Sequence, residues 1–390
     1  MNKKITIIIA SITIFISLVL GLSWYVVHAD DAWIIDEDAV KKPNFLKNQR
    51  AVLYFSPPDY ADIFQTGYRY AVFVDKQGEA KGLRINAMDT GTVVTGAHRL
   101  YVDESDKVRI IGDRYKEFPV NGQGMGGGAG YLTKKKMFFS LYPDNNNTQI
   151  RYGNEKGFHT KTIPYFVSAS GSSDDAIYIV TENPDDDKND HYGIKEIHLD
   201  QHGMKVKAIT TLRIKNEPSP ITIQADHQYL YVLMCVDHDE RNGKVSLIRI
   251  NKKTHQHDQF TLASYKDVSD IYNITMAYDR KAAYLRNNKL VYVDDLGYMY
   301  TFNTKTEKME DKILLKDSQS GELTTFHGDY LYLYSQDEKT RKHSINQYQL
   351  QTGQLVNHQE IKGMDKIFST KIINFYRNAT LYSYDFEIIN

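Results

Sequence analysis

Twelve residues, Asp185 to Glu196, carry oxygen-bearing side chains at the spacing of a calcium loop. Asp185, Asp187 and Asn189 stand at positions 1, 3 and 5, and Glu196 stands at position 12. Alternate side chains in a tight turn can aim their oxygens at one hard cation, and a distal Glu can close the shell with both oxygens. Calcium is the cation these four residues would hold. Two features pull the other way. Position 6, where the sharp bend favours Gly, is Asp190, and the flanking segments read as strands where a calcium loop has helices. Asp and Asn also favour solvated turns, and similar acidic turns occur at Asp144–Asn147 and Asp237–Asp239.

The run Asn121–Gly130 matches G-x-G-x-x-G at Gly122, Gly124 and Gly127. A dinucleotide site needs a strand before that pattern and a helix after it, so that backbone amides face a pyrophosphate. Here a strand-like segment, 131–139, follows, and no Gly-Lys-Ser/Thr occurs. The run therefore reads as a crossing between repeat units near a central channel, where a missing Cβ permits close backbone approach. A ligand-facing loop is the second reading. His255 and His257 would share one face of a strand, but no third ligand stands near them. Gly171–Ser173 with Asp174 and Asp175 reads as a polar turn opening a strand at 176–180, and no nucleophile elbow G-x-S-x-G exists. Lys134–Lys136 is a solvated charged edge, too short for a nucleic-acid patch. Cys235 lies in the apolar run YLYVLMCV and reads as a core thiol, since reactive thiols need an accessible, electropositive setting. No catalytic constellation emerges.

The elements that would position any site are strands. Beyond residue 45 no long stretch repeats apolar residues at helical spacing. Short aromatic and β-branched runs come in pairs instead, such as 51–55 with 70–79, 229–234 with 246–254, and 329–334 with 346–354. Tyr is abundant, 29 residues against 16 Phe and 2 Trp, and the tyrosines recur inside these runs. Anchor aromatics fall at Tyr54, Tyr101, Phe139, Tyr178, Tyr231, Tyr292 and Tyr332, with spacings of 47, 38, 39, 53, 61 and 40 residues. A strand-only period of this length predicts propeller blades. The expected fold is all-β, a β-propeller of seven blades, with six or eight as the alternatives and two packed β-sandwiches as the competitor. The terminal strand at 379–389 would pair beside the first strands and close the ring, which removes open sheet edges.

The strand, turn, strand pattern ending in Asn/Asp-x-x-Thr-Gly is best seen in Tyr348-Gln349-Leu350-Gln351-Thr352-Gly353. On it, residues 50 to 390 resemble extracytoplasmic β-propeller repeat proteins of the quinoprotein-like and YVTN-like kind. The resemblance implies architecture and no particular activity. Both Trp, 24 and 33, precede the repeats, so the Trp residues of true quinoprotein blades are absent and no quinone cofactor is implied.

Residues 5–27 contain no charge and are long enough to span a bilayer as a helix. Lys3 and Lys4 precede the segment, and Asp30, Asp31, Asp36, Glu37 and Asp38 follow it, which directs the rest of the chain outside. Residues 1–29 are thus expected to be a signal anchor, with 30–48 a linker and 49–390 the propeller. The alternative is a signal peptide cleaved after Ala29, leaving a secreted protein. Lys+Arg 48 against Asp+Glu 49, a net charge of -1, excludes a strongly basic nucleic-acid binder and an acidic disordered tail. The expectation is a non-catalytic, exported propeller that binds a protein or cell-envelope partner, with no nucleic acid and no cofactor beyond the calcium candidate. The alternative is an extracytoplasmic hydrolase or lyase acting on carbohydrate.

Overall fold

The structure, a computed structural model, describes residues 33–56, 69–86, 91–120, 126–182, 191–201, 203–214, 218–315, 323–337, 339–368 and 381–389, together with Ser17. The uncharged segment 5–27 lies outside the described residues. Among those described, no helix is long and apolar enough to cross a membrane.

Consecutive strands run β1 (Gln49–Ser56), β2 (Arg69–Asp75), β3 (Ala80–Ile85), β4 (Val93–Gly96), β5 (Arg99–Asp103), β6 (Lys107–Ile111) and β7 (Lys116–Pro119). Next come β8 (Gly128–Leu132), β9 (Met137–Asp144), β10 (Asn147–Asn154), β11 (Gly157–Ile163), β12 (Phe166–Ser172), β13 (Ile177–Glu182) and β14 (His191–Leu199). Then follow β15 (Met204–Arg213), β16 (Ser219–Ala225), β17 (Tyr229–Asp239), β18 (Asn242–Asn251), β19 (His257–Tyr265), β20 (Ala283–Arg286) and β21 (Lys289–Val293). The last are β22 (Tyr298–Asn303), β23 (Lys308–Leu314), β24 (Leu323–His327), β25 (Tyr330–Gln336), β26 (His343–Gln349), β27 (Leu355–Ile361) and β28 (Tyr382–Ile388). Among the described residues they form seven four-stranded antiparallel sheets, the blades of a propeller. Blades 2 to 7 each use four consecutive strands, from β4–β7 to β24–β27. Blade 1 has the order β28-β1-β2-β3, so the last strand of the chain is the innermost strand of the first blade.

All seven anchor aromatics lie on the second strand of a blade, one per blade. These strands are continuous apolar runs because both faces press on neighbouring blades. The last six residues of β1 and seven consecutive residues of β17 are buried. Hydroxyls explain the choice of Tyr over Phe, since a buried phenol packs like Phe and still ties to a polar partner. Tyr101 donates to Asp103 at 2.7 Å, Tyr231 to Asp226 at 2.8 Å and Tyr178 to Glu196 at 3.2 Å.

Each repeat holds two strands more than the paired runs suggest. Some inner strands are short, four residues in β4 and β20, and most outer ones are largely exposed, as in β23, so neither set gives a strong apolar signal. Gly171 and Ser172 accordingly belong to inner strand β12, and only 173–175 form the turn expected there. The turns between third and fourth strands follow one local rule. Asn251 and Asn303 side chains each accept two backbone N–H groups within the turn, at 2.9 and 3.0 Å. The corresponding turn in blade 7 keeps the backbone bond, with Gly353, at φ 65°, donating its amide to the Gln349 carbonyl at 2.8 Å.

Residues 33–48 lie against the ring. Ile34 bridges Gly82 on β3, the outermost strand of blade 1, and Trp33 sits over Gly363 between blades 1 and 7. Helix α1 (Glu37–Val40) follows, and Glu37 reaches the buried Arg109 of blade 2 at 2.9 Å. Two more short helices, α2 (Ile271–Met276) and α3 (Met364–Phe368), lie between blades 5 and 6 and after blade 7.

Phe386, fully buried on β28, packs where the ring closes. Phe386→Ala should lower unfolding stability by about 3–5 kcal/mol, read as a lower urea midpoint at unchanged slope.

Candidate functional site

The inner strands surround an axis, and a piece of chain crosses it. The segment after α2, through Arg280 and Lys281, leads into β20 of blade 6. Its carbonyls are held from two sides: Thr222 of blade 5 donates to the Arg280 oxygen at 3.1 Å, and Thr324 of blade 7 donates to the Lys281 oxygen at 2.8 Å. Its charges are held from the opposite wall. Arg280 Nη2 lies 2.6 Å from Asp385 Oδ2, and Lys281 Nζ lies 2.5 Å from Asp385 Oδ1 and 2.9 Å from Glu387 Oε1. Arg280 also donates to Thr92 Oγ1, at the start of blade 2, at 3.0 Å. Blades 2 and 5 are as far apart as a ring of seven allows, so a segment touching both spans the channel.

Asp385 is the centre of this plug. Its carboxylate also accepts from Thr92 Oγ1 at 2.5 Å and from the Val93 and Phe386 amides at 3.0 and 2.9 Å. Burial alone would raise this carboxyl, but the Arg280 and Lys281 charges and the hydrogen bonds outweigh it and hold the pKa at about 2. Glu387, two residues along the same face of β28, accepts from Thr95 Oγ1 at 2.9 Å. Two carboxylates and two cations therefore neutralise one another, and the arrangement is a lock with no side chain poised as a general acid or nucleophile.

The plug's approach is anchored on blade 6. Asp270 caps α2 by accepting from the Asn273 amide at 3.0 Å, and the Asp295 amide donates to the Ile274 carbonyl at 3.1 Å. Burial, then the neighbouring Asp294 charge, pushes the half-buried Asp295 carboxyl up to about 6. Around this junction Tyr272, Leu296 and Leu314 are exposed, at 50%, 41% and 58%. The backbone ties them together, since Leu315 donates to the Gly297 carbonyl just beyond Leu296. In antiparallel blades the links between second and third strands and those between blades emerge at one end of the ring. The α2 junction and the β21–β22 turn that carries Leu296 both belong to that upper face.

Of the calcium candidates, Asp185, Asp187 and Asn189 lie outside the described residues. Glu196 is on β14, where it accepts from Tyr178 and lies 3.2 Å from His198 Nε2. Among the described residues no group of three or more His, Cys, Asp or Glu is placed to hold a metal ion. His255 is exposed in a turn and His257 is exposed at the start of β19. Gly122 and Gly124 are also outside the described residues. The end of that run is strand β8 on the channel wall, where a Cβ on Gly128 would lie 2.3 Å from Ser170 Oγ of blade 4, so close approach between blades explains the glycine. Cys235 is buried, and burial pushes its thiol up. The plug itself carried one sequence signal, Asp385 and Glu387 spaced two apart on an otherwise apolar strand. Nothing local pairs them with cations about a hundred residues earlier.

A ring of seven four-stranded blades, closed by its own last strand and plugged on its axis, defines a seven-bladed β-propeller. The chain belongs to the YycP β-propeller domain family, whose model matches residues 44–389. It is similar to the uncharacterized protein YycP of Bacillus subtilis, 23% identical over 91% of this chain and 92% of that protein. Among solved structures it is similar to a provisionally named 6-phosphogluconolactonase of Bacteroides uniformis, at TM-score 0.51 and 12% identity, covering 88% of this chain and 100% of that one. A Bacteroides fragilis protein of the same provisional name gives TM-score 0.51 at 10% identity, covering 90% and 100%. Likeness at that identity shows the fold alone.

Asp385→Ala should cost about 3–5 kcal/mol, because it leaves Arg280 and Lys281 without their buried counter-charge. The native carboxylate's contribution is complete above about pH 4 and is lost as pH falls through about 2, so the gap between native and Asp385→Asn proteins in melting temperature should close over that window. Asp295 has the opposite sign. Its raised pKa favours the folded state below about pH 4 and loses that effect as pH rises through about 6, a step that Asp295→Asn should erase from the same series.

Proposed function

We propose that this protein is an exported, membrane-tethered, non-catalytic propeller that binds a protein or cell-envelope component through the upper face of its ring. The observation that carries this reading is the axial plug. Propeller chemistry that draws side chains from several blades would converge on the axis, and here Arg280, Lys281, Asp385 and Glu387 satisfy one another there. Tyr272, Leu296 and Leu314 leave apolar surface on the rim beside the plug, which suits a partner's side chains better than solvent. Residues 5–27, uncharged between two lysines and an acidic stretch, support the tether. A scaffold, a sensor and a protective factor are all roles such a binder could fill. A hydrolase or lyase acting on carbohydrate has less support, since the carboxylates at the axis are already engaged.

A photo-crosslinking amino acid at Leu296 in intact cells should give a discrete adduct with one envelope or membrane protein. The adduct should be lost in a Tyr272→Glu, Leu314→Glu variant that melts normally. Turnover of members of a glycan library with no adduct would overturn the binding reading, and an exported form whose N-terminus is Asp30 would overturn the tether.

A further inference from the structure

The opposite end of the axis holds a cavity of about 540 Å³. Five parts of the chain converge on it: the 3-10 turn Phe45–Asn48, the β4–β5 and β6–β7 turns of blade 2, the end of β24 in blade 7, and Ile389 just after β28. Its charged and ionisable lining is one-sided. Lys47, His98, Arg99 and His327 face a single carboxylate, Asp113. This is a local feature, since the chain as a whole carries a net charge of -1.

Local structure holds these groups in place. Ala97 and His98 adopt left-handed backbone, φ 50° and 59°, which makes the tight reversal that presents the imidazole. A Cβ on Gly112 would lie 2.9 Å from Arg99 Cγ, so the arginine stem lies across the glycine, and its guanidinium is fixed by Glu155 at 2.8 Å. Leu46 and Ile389 supply apolar wall. Thr95 also lines the cavity, and its hydroxyl is committed to Glu387, which Lys281 holds. Thr95 therefore links the cavity wall to the axial lock.

We propose that this cavity binds a small multivalent oxyanion, a di- or tricarboxylate or a phosphate ester. Volume sets the size class, because pockets of a few hundred cubic ångströms take small metabolites. Charge sets the chemistry, because guanidinium, ammonium and imidazole donors bind carboxylate and phosphate oxygens through charge-assisted hydrogen bonds. The placement of these donors sets the valence. They approach from blade 2, blade 7 and the N-terminal turn, so a ligand with one anionic group engages one side and leaves the others.

The test is isothermal titration of the full-length chain in mild detergent with citrate, with inorganic phosphate, and with glucose as the neutral control. Citrate or phosphate should bind saturably at one site while glucose does not, and the tighter of the two identifies the source of the oxyanion. Affinity should fall roughly tenfold between about 0.02 M and about 0.2 M sodium chloride, as for partly exposed charges. Lys47→Ala and His327→Ala, both at exposed positions, should each weaken binding roughly tenfold with unchanged melting, while Lys339→Ala on the opposite face leaves it unchanged. Absence of saturable anion binding overturns the proposal, as does binding that both cavity variants leave intact. Either result stands apart from the crosslinking outcome, which reads the other face.

Discussion

A chain that closes a ring of blades on itself brings its last strand beside its first, and the strand that does so here carries a buried carboxylate. β28 lies innermost in blade 1, paired along its length with β1. Asp385 at its centre could not stay charged in that position without partners, because an isolated buried charge is very costly. Arg280 and Lys281 supply the partners from the segment that leads into blade 6. The closing strand and the axial segment thus require each other. Removing the cations strands the carboxylate in the wall, and removing the carboxylate strands Arg280 in the channel and leaves Lys281 with Glu387 alone.

The same logic governs the spaces between blades. Neighbouring sheets pack through aromatic and β-branched side chains, and several charged groups carried into those interfaces are paired across them. Asp294 accepts from Tyr265 at 2.9 Å and from Tyr300 at 3.1 Å, linking blades 5 and 6. Arg151 of blade 3 pairs with Asp103 of blade 2, and Arg249 of blade 5 reaches Glu307 of blade 6 at 2.7 Å. Tyr is suited to such seams because one residue brings both a large apolar face and a donor. Its abundance follows from how many blade interfaces a ring of seven must fill.

The architecture was legible because each blade's middle strands are buried on both faces and so are written as apolar runs. Tyr54, Tyr101, Phe139, Tyr178, Tyr231, Tyr292 and Tyr332 mark one blade each, and the terminal run around Tyr384 closes the ring. The inner and outer strands were not legible. β4 has only four residues, and the outward residues of β23 are bounded by water, so neither needs a periodic apolar pattern. The plug was less legible still. Arg280-Lys281 resembles any solvated charged pair until the fold sets it against Asp385, because a pairing between distant residues leaves no local spacing to recognise. The calcium pattern at Asp185, Asp187 and Asn189 lies outside the described residues, and acidic residues at alternate positions suit ordinary turns as well as ligands.

The described chain enters the ring at Trp33, wedged between blades 1 and 7, and runs through Ile34 along the outermost strand of blade 1. That is a point on the circumference. A wheel mounted by its rim keeps both of its flat sides accessible, whereas one mounted through its hub or by a flat side loses one of them. Two ligands of unlike chemistry could then occupy opposite sides at once, with the salt-bridged axis between them.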